Sequence, residues 1–330
     1  MHSPSSAACA GASPASATRL PMSALLALAL TGFIAILSET LPAGLLDQIA
    51  NGMQISQAMA GQWVTAYALG SLLTAIPLVT LTQGWWRRRA LLLAIGGFIL
   101  FNGLTAVSSD NTLTLLLRFC TGAAAGLAWG LIAGHARRMV APAQQGKAMA
   151  VAMLGQPIAL SLGLPIGTWL GALMGWRATF VMVTLAALLL AAWVLRAVPD
   201  FPGQAAGKRP AALAVLRTPG VARVLLVILA WILGHNILYT YIVPLIAAAG
   251  MADAVGQVLM TFGLASLAGI ALVGLGVDRH LRGLVLLCLA GFALATLALG
   301  QVQGAPWLVH VSVALWGLTY GGAPTLLQTA

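Results

Sequence analysis

The chain has 330 residues, of which 60% are hydrophobic and only 7% are charged, and its formal net charge is +10. An ordinary soluble domain carries roughly a quarter of its residues as Asp, Glu, Lys or Arg. This composition therefore excludes a soluble enzyme, a disordered chain and a secreted disulfide scaffold, and it predicts an all-α membrane protein. The three cysteines are scattered and have no C-x-x-C spacing, so they predict neither a disulfide nor a metal site.

Apolar segments of about twenty residues are long enough to cross a hydrocarbon layer ~30 Å thick as helices. Ten such segments are present, and residues 1–19 before them are predicted to form a disordered cytoplasmic tail. The predicted spans are 20–46, 60–83, 89–108, 112–134, 147–171, 176–196, 221–248, 254–276, 283–301 and 305–327. A hydrophilic break predicts three parts after the tail: an N-terminal six-helix bundle (20–197), a cytoplasmic linker (198–219) and an incomplete C-terminal bundle of four helices (220–330).

The basic residues lie almost entirely on one side of the predicted membrane. With the N-terminus placed in the cytoplasm, fourteen of the 16 Lys and Arg residues fall on that side. The exceptions are Arg177 on the opposite side and Arg118 within a span. Cytoplasmic loops of membrane proteins carry such an excess of positive charge. The pattern predicts a cytoplasmic N-terminus, and it explains the net charge without nucleic-acid binding.

The two halves of the chain are related by an internal repeat with an offset of 195 residues, which aligns Gly61 with Gly256. Further pairs at this offset are Tyr67 with Phe262, Ser71 with Ser266, Arg87 with Arg282, Gly122 with Gly317 and Gly126 with Gly321. A parallel repeat of six spans is typical of two-bundle secondary transporters, whose binding site lies between the halves near the bilayer midplane. Residue 330 aligns with His135, so we expect full-length relatives of about 390 residues with twelve spans (twice the repeat offset), of which this chain has ten.

Several motifs carry a resemblance to a known family. The first span ends in Glu39-Thr-Leu-Pro-Ala-Gly, the fourth contains Arg118 followed by Gly122 and Gly126, and residues 276–282 read Gly-Val-Asp-Arg-His-Leu-Arg. The fifth span has glycines at a four-residue period, Gly155, Gly163, Gly167 and Gly171. Together these motifs resemble the major facilitator superfamily, and within it the drug:proton antiporter branch that includes arabinose-efflux-like permeases.

The resemblance implies a two-bundle helical fold that works by alternating access, with cytoplasmic loops that gate it. The gating residues implied are Arg87, Arg88, Arg89, Asp278, Arg279 and Arg282. The first-half loop departs from the family pattern, because Gln83 stands where the second half has Asp278. The glycines Gly122, Gly126, Gly155, Gly163, Gly167 and Gly171 are interpreted as helix-packing positions, since small residues at this spacing let helices approach closely.

Charged and titratable residues inside a span are costly and therefore mark functional sites. Glu39 and Arg118 are predicted to lie at one depth on the first and fourth spans, which line the central cavity in the resembled fold. Glu39 is the candidate proton- or cation-responsive carboxylate, and Arg118 is its partner or a substrate anchor; the alternative is a static structural ion pair. In the seventh span, His235, Asn236 and Tyr239 share one helical face. They are candidates for the substrate or proton pathway, with interhelical hydrogen bonding as the alternative.

The sequence thus predicts a secondary active transporter for proton-coupled efflux of a small organic molecule, such as a drug, sugar or nucleoside. The alternatives are an uptake symporter of the same fold and a truncated fragment that does not transport. The chain has no nucleotide-binding or metal-binding motif and no clustered catalytic set, which argues against an enzyme, a cofactor or a metal. The expected partners are the small-molecule substrate, protons and the lipid bilayer of the bacterial plasma (inner) membrane, for a multi-pass monomer.

Overall fold

The structure is a computed structural model that describes residues 20–204, 218–251, 254–301 and 306–329. Within these ranges the regular elements are all helices. The predicted disordered tail and most of the predicted linker lie outside the described residues. Eight of the described helices are long and apolar enough to cross a membrane.

The first half of the chain makes six crossings, with one short helix, α2, between the first and second. Its helices are α1 (Met22–Gly44), α2 (Leu46–Met53), α3 (Gln57–Leu81), α4 (Arg87–Val107), α5 (Asn111–Arg138), α6 (Gln145–Met153), α7 (Gly155–Ile158), α8 (Leu164–Met174) and α9 (Trp176–Ala197). A 3-10 turn at Pro142–Gln144 precedes α6, and a π-helical turn at Ala159–Gly163 joins α7 to α8. The fifth crossing is therefore a chain of short helices.

Pro157 accounts for the irregular fifth crossing. A proline inside a helix donates no backbone hydrogen bond, and its ring clashes with the carbonyl four residues earlier. That residue is Met153, where α6 ends. The π-helical turn follows directly after α7, which is a common way for a crossing helix to absorb such a disturbance.

The second half contributes α10 (Val221–Ala248), α11 (Val255–Gly300), α12 (Pro306–Gly321) and α13 (Ala323–Thr329). Helix α11 has 46 residues, and its only residue with non-helical backbone angles is His280 (φ −128°, ψ 33°). Its two arms fold back on each other, since Gly276 lies against Leu284. Helix α11 therefore holds the predicted eighth and ninth spans, and the all-α membrane fold of about ten crossings is confirmed.

The connection between the predicted eighth and ninth spans is shorter than the residues 277–282 left between them, because the two helical arms meet at His280 within otherwise helical backbone. The segment 276–282 has no proline, and its single glycine opens it, so nothing in its composition requires an extended break. Asp278 therefore lies on a helical arm, two residues before the reversal.

The internal repeat appears in the contacts between helices as well as in the amino-acid sequence. Gly122 and Gly126 of α5 lie against backbone carbonyls of α3, and Gly317 and Gly321 lie against backbone carbonyls of α11. The carbonyls belong respectively to Tyr67, Ser71, Phe262 and Ser266, which are themselves related by the offset of 195 residues. An added Cβ at any of the four glycines would come within 3.0 Å of the facing carbonyl oxygen. Both halves therefore contain the same close helix crossing.

The glycines of the fifth crossing pack against the helix that carries Glu39. Gly155 faces the carbonyl of Ala29, and an added Cβ at Gly163 would lie 2.9 Å from the ring of Phe33. Gly167 and Gly171 face leucine side chains at the far end of α1 in the same way. The four-residue period of glycine thus holds α1 close along the whole crossing.

The buried hydrophobic side chains form two clusters. One lies within residues 24–198 and also includes Ile270, and the other lies within residues 231–327. The halves meet where α6 packs on α11: Gly146 donates its backbone N–H to Asp278 Oδ1 at 2.6 Å. Gly263 packs closely on Ser161 farther along the same seam.

The glycine contacts predict a matched pair of outcomes within α5. We expect Gly122→Ala to destabilise the fold by about 1–3 kcal/mol, because the new methyl group must push the backbone of α3 away. Gly134→Ala should have little effect, because no atom lies within 4 Å of a Cβ at that position. Thermal unfolding of both purified variants in detergent checks this, and equal unfolding temperatures for the two would contradict the packing interpretation.

Candidate functional site

A cavity of about 470 Å³ lies between the two halves. The first half contributes α1, α5, α7 and the π-helical turn, and the second contributes α10, α12 and α13. Its polar lining residues are Glu39, Thr40, Gln156, His235, Asn236, Tyr239 and Tyr320. Among the described residues that line it, Glu39 carries the only carboxylate. The structure thus brings four of the five predicted pathway residues to one cavity, from opposite halves.

Glu39 lies near the end of α1 and is half-buried. Within the part of the chain that the structure describes, its carboxylate forms no hydrogen bond and no ion pair. The positive charge of Arg118 acts on it through space, without direct contact. The carboxylate is therefore available to a proton or to a ligand in the cavity.

Arg118 lies behind the cavity wall and is fully buried. It donates one hydrogen bond to Asn102 Oδ1 at 3.0 Å and another to the backbone carbonyl of Ser38. Its guanidinium also lies over the rings of Tyr67 (5.1 Å) and Phe180 (5.5 Å). No salt bridge joins it to Glu39 among the described residues, so the ion pair considered from the sequence is not formed.

The partners of Arg118 bind α1 to the rest of the first half. Asn102 of α4 also donates to Ser38 Oγ at 3.0 Å, and Tyr67 of α3 donates to the carbonyl of Ala35 at 2.7 Å. Three neighbouring helices thus bind successive groups on α1, directly before Glu39. Asn102 is not among the predicted site residues, although a single amide inside an apolar span is a detectable signal.

On the opposite wall, His235 lies at the centre of an aromatic cluster made of Tyr239, Phe262, Trp316 and Tyr320. Its ring stacks on Tyr320 with centroids 3.5 Å apart, and Trp316 Nε1 donates a hydrogen bond to His235 Nδ1 at 3.2 Å. Asn236 donates to the carbonyl of Ile232 at 2.8 Å. Sequence reasoning missed the aromatic residues from α11 and α12, because rings in apolar spans are ordinarily packing residues.

The predicted gating residues make different contacts in the two halves. Asp278 bridges the halves by accepting from Gly146 at the N-terminal end of α6, whereas Arg89, Arg279 and Arg282 are exposed. In the first half, Asp200 accepts from the backbone N–H of Arg88 at 3.0 Å and pairs with its side chain at 3.8 Å.

The first half has Gln83 at the position that corresponds to Asp278. Its carboxylate contact with the start of α4 is instead made by Asp200, at the end of the first half. The neighbouring carbonyl of Phe201 accepts from the backbone N–H of Arg87 at 2.8 Å, and the Arg87 side chain donates to the carbonyl of Gln83 at 2.6 Å. The segment after α9 is therefore bound across the start of α4.

We expect Asn102→Leu to lower the free energy of unfolding by about 1–3 kcal/mol, because it leaves part of a buried guanidinium without its acceptor. Thr105→Ala is the matched control on α4: it is equally buried, but its hydroxyl bonds only to the carbonyl of Phe101 in its own helix. Thermal unfolding in detergent compares the two, and an equal or larger loss for Thr105→Ala would contradict the structural role of the Arg118 network.

The contact between Asp278 and Gly146 predicts a change in the separation of the halves. A carboxylate at a helix N-terminus is stabilised by the unpaired N–H groups and the helix dipole, so Asp278→Ala should shift the population toward separated halves several-fold. Electron-spin distance measurements between labels at Ala143 and Gly283, in a background without the native cysteines, report this separation. Asp200→Ala is the control, because its contacts lie within the first half; a similar shift in both variants would exclude a specific latch at Asp278.

Comparison with known proteins agrees with this architecture. The Major Facilitator Superfamily profile matches residues 28–330. The purine ribonucleoside efflux pump NepI of Escherichia coli O6:K15:H31 (strain 536 / UPEC) is 32% identical over 316 residues, covering 93% of this chain and 78% of that protein. A probable sugar efflux transporter of Helicobacter acinonychis (strain Sheeba) is 28% identical over 302 residues, covering 91% of this chain and 77% of that protein.

Solved structures share the fold at low sequence identity. A double-tryptophan mutant of XylE superposes with a TM-score of 0.74 at 15% identity, covering 94% of this chain and 81% of that one. The human organic anion transporter MFSD10 (TETRAN) superposes with a TM-score of 0.71 at 16% identity, covering 94% of this chain and 84% of that one. With the family profile matched over nearly its whole length, this multi-pass membrane chain belongs to the major facilitator superfamily, and it is a transporter rather than an enzyme.

Proposed function

We propose that the chain exports a small polar molecule of the sugar or nucleoside class in exchange for protons, by alternating access. The observation that carries this proposal is the cavity between the halves. It combines one carboxylate, Glu39, which has no partner among the described residues, with a polar and aromatic wall from the other half.

Glu39 is the group we propose to exchange protons. A carboxylate facing water is favoured in its ionised form, and one facing a closed, apolar cavity is favoured in its protonated form. Opening and closing of the cavity therefore changes its proton occupancy. Arg118 provides a nearby positive charge that is already hydrogen-bonded to Ser38 and Asn102, so the carboxylate is left free to release its proton to water or to a substrate.

The cavity wall fits a ring-bearing polar molecule. Thr40, Gln156 and Asn236 provide hydrogen-bonding groups, and Trp129 and Tyr239 provide aromatic faces. A volume of about 470 Å³ lies within the range of small-ligand sites, ~300–1,000 Å³. The names of two relatives, a purine ribonucleoside efflux pump and a probable sugar efflux transporter, support the same class of substrate.

The proposed transport cycle moves residues 20–197 against residues 220–330, with residues 198–219 as the connection. The two separate hydrophobic clusters support this division. The distribution of Lys and Arg supports a bacterial inner membrane protein, with its N-terminus and the Asp278–Gly146 contact on the cytoplasmic side. We propose that one copy of the chain is the transporting unit, since the cavity is built from one chain alone.

Proteoliposomes with an imposed pH gradient test the coupling and its direction. We expect radiolabelled adenosine or arabinose to move against the direction of proton flow, and a pH-sensitive dye to report the counter-movement of protons. Movement of substrate and protons in the same direction would instead establish an uptake symporter. Substrate flux that is independent of the pH gradient would contradict proton coupling.

We expect Glu39→Gln to abolish proton-coupled flux while membrane insertion and the unfolding temperature are retained, because the amide keeps the size of the side chain and cannot release a proton. Asp47→Asn is the control: this exposed acid lies beyond α1 and accepts a hydrogen bond from Gln57. The same proteoliposome assay compares both variants. Coupled transport by Glu39→Gln at the wild-type rate would exclude the proposed role of Glu39.

A further inference from the structure

The imidazole of His235 is enclosed on most sides by aromatic rings. Its side chain is only 6% exposed. Tyr320 stacks on it nearly parallel, at an interplanar angle of 5°, and Phe262, Trp316 and Tyr239 lie with ring centroids 5.5–5.8 Å away. These contacts fix the orientation of the ring, so each nitrogen has a defined environment.

The contact with Trp316 determines which nitrogen carries the proton. The indole N–H is a donor only, so His235 Nδ1, 3.2 Å away, must be an acceptor and therefore unprotonated. A charged imidazolium would place two donors against each other at this distance. The neutral ring then has its hydrogen on Nε2, and Nε2–H is a hydrogen-bond donor.

The Nε2–H group has no protein acceptor among the described residues, and His235 is one of the residues that line the cavity between the halves. A donor at the wall of a binding cavity, on a ring that cannot turn, selects ligands that present an acceptor atom at that point. Leaving that donor unpaired when a ligand displaces water from the cavity is unfavourable, so a ligand without the acceptor is discriminated against.

We propose that His235 is a specificity-determining hydrogen-bond donor to the transported molecule, held as the Nε2–H tautomer by Trp316, and that it does not carry protons in the cycle. Trp316 is a positioning residue that acts through His235. The ligand acceptor is a ring nitrogen or a hydroxyl oxygen, as nucleosides and sugars present. The identity of the ligand rests on the proposed function; the state of the imidazole does not.

The repeat supports a division of roles between the halves. At the offset of 195 residues, His235 corresponds to Thr40, and Glu39 corresponds to Gly234. The two walls of the cavity therefore present a carboxylate from one half and an imidazole from the other, at adjacent positions of the repeat. Glu39 has no hydrogen-bonding partner among the described residues, whereas one nitrogen of His235 is already engaged by Trp316. Of these two titratable groups, only the Glu39 carboxylate has all of its hydrogen-bonding atoms free of partners among the described residues.

Two substitutions at position 235 separate a hydrogen-bond donor from a proton carrier. Glutamine places an amide N–H close to the position of Nε2 but cannot take up a proton, whereas leucine removes the donor. We expect His235→Leu to weaken equilibrium binding of radiolabelled adenosine about tenfold, and His235→Gln to weaken it less than threefold. Proton movement per adenosine transported should be the same in His235→Gln as in the wild-type chain. Loss of coupling in His235→Gln would overturn the proposal.

The role of Trp316 is tested by its dependence on His235. Trp316→Phe keeps an aromatic ring in the cluster but frees Nδ1, so we expect adenosine binding to weaken about threefold to fivefold. In the His235→Gln background the same substitution should have little further effect, because glutamine has no tautomer to select. Equal effects of Trp316→Phe in both backgrounds would show that Trp316 acts only through packing.

Nitrogen-15 NMR of histidine-labelled protein in detergent observes the tautomer without any ligand. The His235 signals, assigned by their absence in His235→Gln, should show a protonated Nε2 and an unprotonated Nδ1, and Trp316→Phe should alter this pattern. A protonated Nδ1 or an imidazolium at neutral pH would overturn the proposal even if adenosine is transported. Correct tautomer signals with no binding of adenosine or arabinose would overturn the proposed substrate class and leave the assignment of Nε2–H intact.

Discussion

A guanidinium buried inside a membrane-spanning bundle needs hydrogen-bond acceptors, since an unpaired charge there costs several kcal/mol. The two terminal nitrogens of Arg118 donate to the carbonyl of Ser38 and to Asn102 Oδ1, and its guanidinium lies over two aromatic rings, whereas its Nε has no partner among the described residues. The consequence is structural as well as electrostatic. The hydrogen bond from Arg118 helps to fix α1 at Ser38, and the next residue, Glu39, lines the cavity without a hydrogen-bond partner among the described residues. A carboxylate without a hydrogen bond among the described residues and an arginine bonded to the same helix are thus two results of one arrangement.

The repeat explains why the two halves share a scaffold and differ in chemistry. Backbone-to-backbone contacts at Gly122 and Gly317 depend only on the absence of a side chain, so both halves keep them. The cavity residues do not determine whether the helices can pack, so they can diverge. One half presents Glu39, and the other presents an imidazole held by Trp316. An asymmetric ligand between two similar walls requires such a difference.

Hydropathy and charge were sufficient to predict the helical class, the number of crossings and the two residues, Glu39 and Arg118, whose burial needed explanation. Helix geometry also predicts that the two lie at one depth. Their lack of direct contact could not be predicted, because it depends on how far each helix is rotated about its axis, and uniformly apolar spans contain little information on rotation. The aromatic cluster around His235 joins residues as much as 85 positions apart, and the contact of Asp200 with Arg88 spans 112 positions. Such contacts depend on tertiary packing, and the local sequence pattern does not predict them.

The fifth crossing connects the cavity to the contact between the halves. Gln156 and Leu160 line the cavity, whereas Gly146, earlier on the same crossing, donates to Asp278 of the other half. Between these points the helix is interrupted after Met153, and a π-helical turn follows Pro157. An interrupted helix can change its local geometry at lower energetic cost than a regular one, because fewer backbone hydrogen bonds must break. The glycine face of the fifth crossing packs on α1, so this one crossing contacts the cavity, the other half of the chain and the helix that carries Glu39.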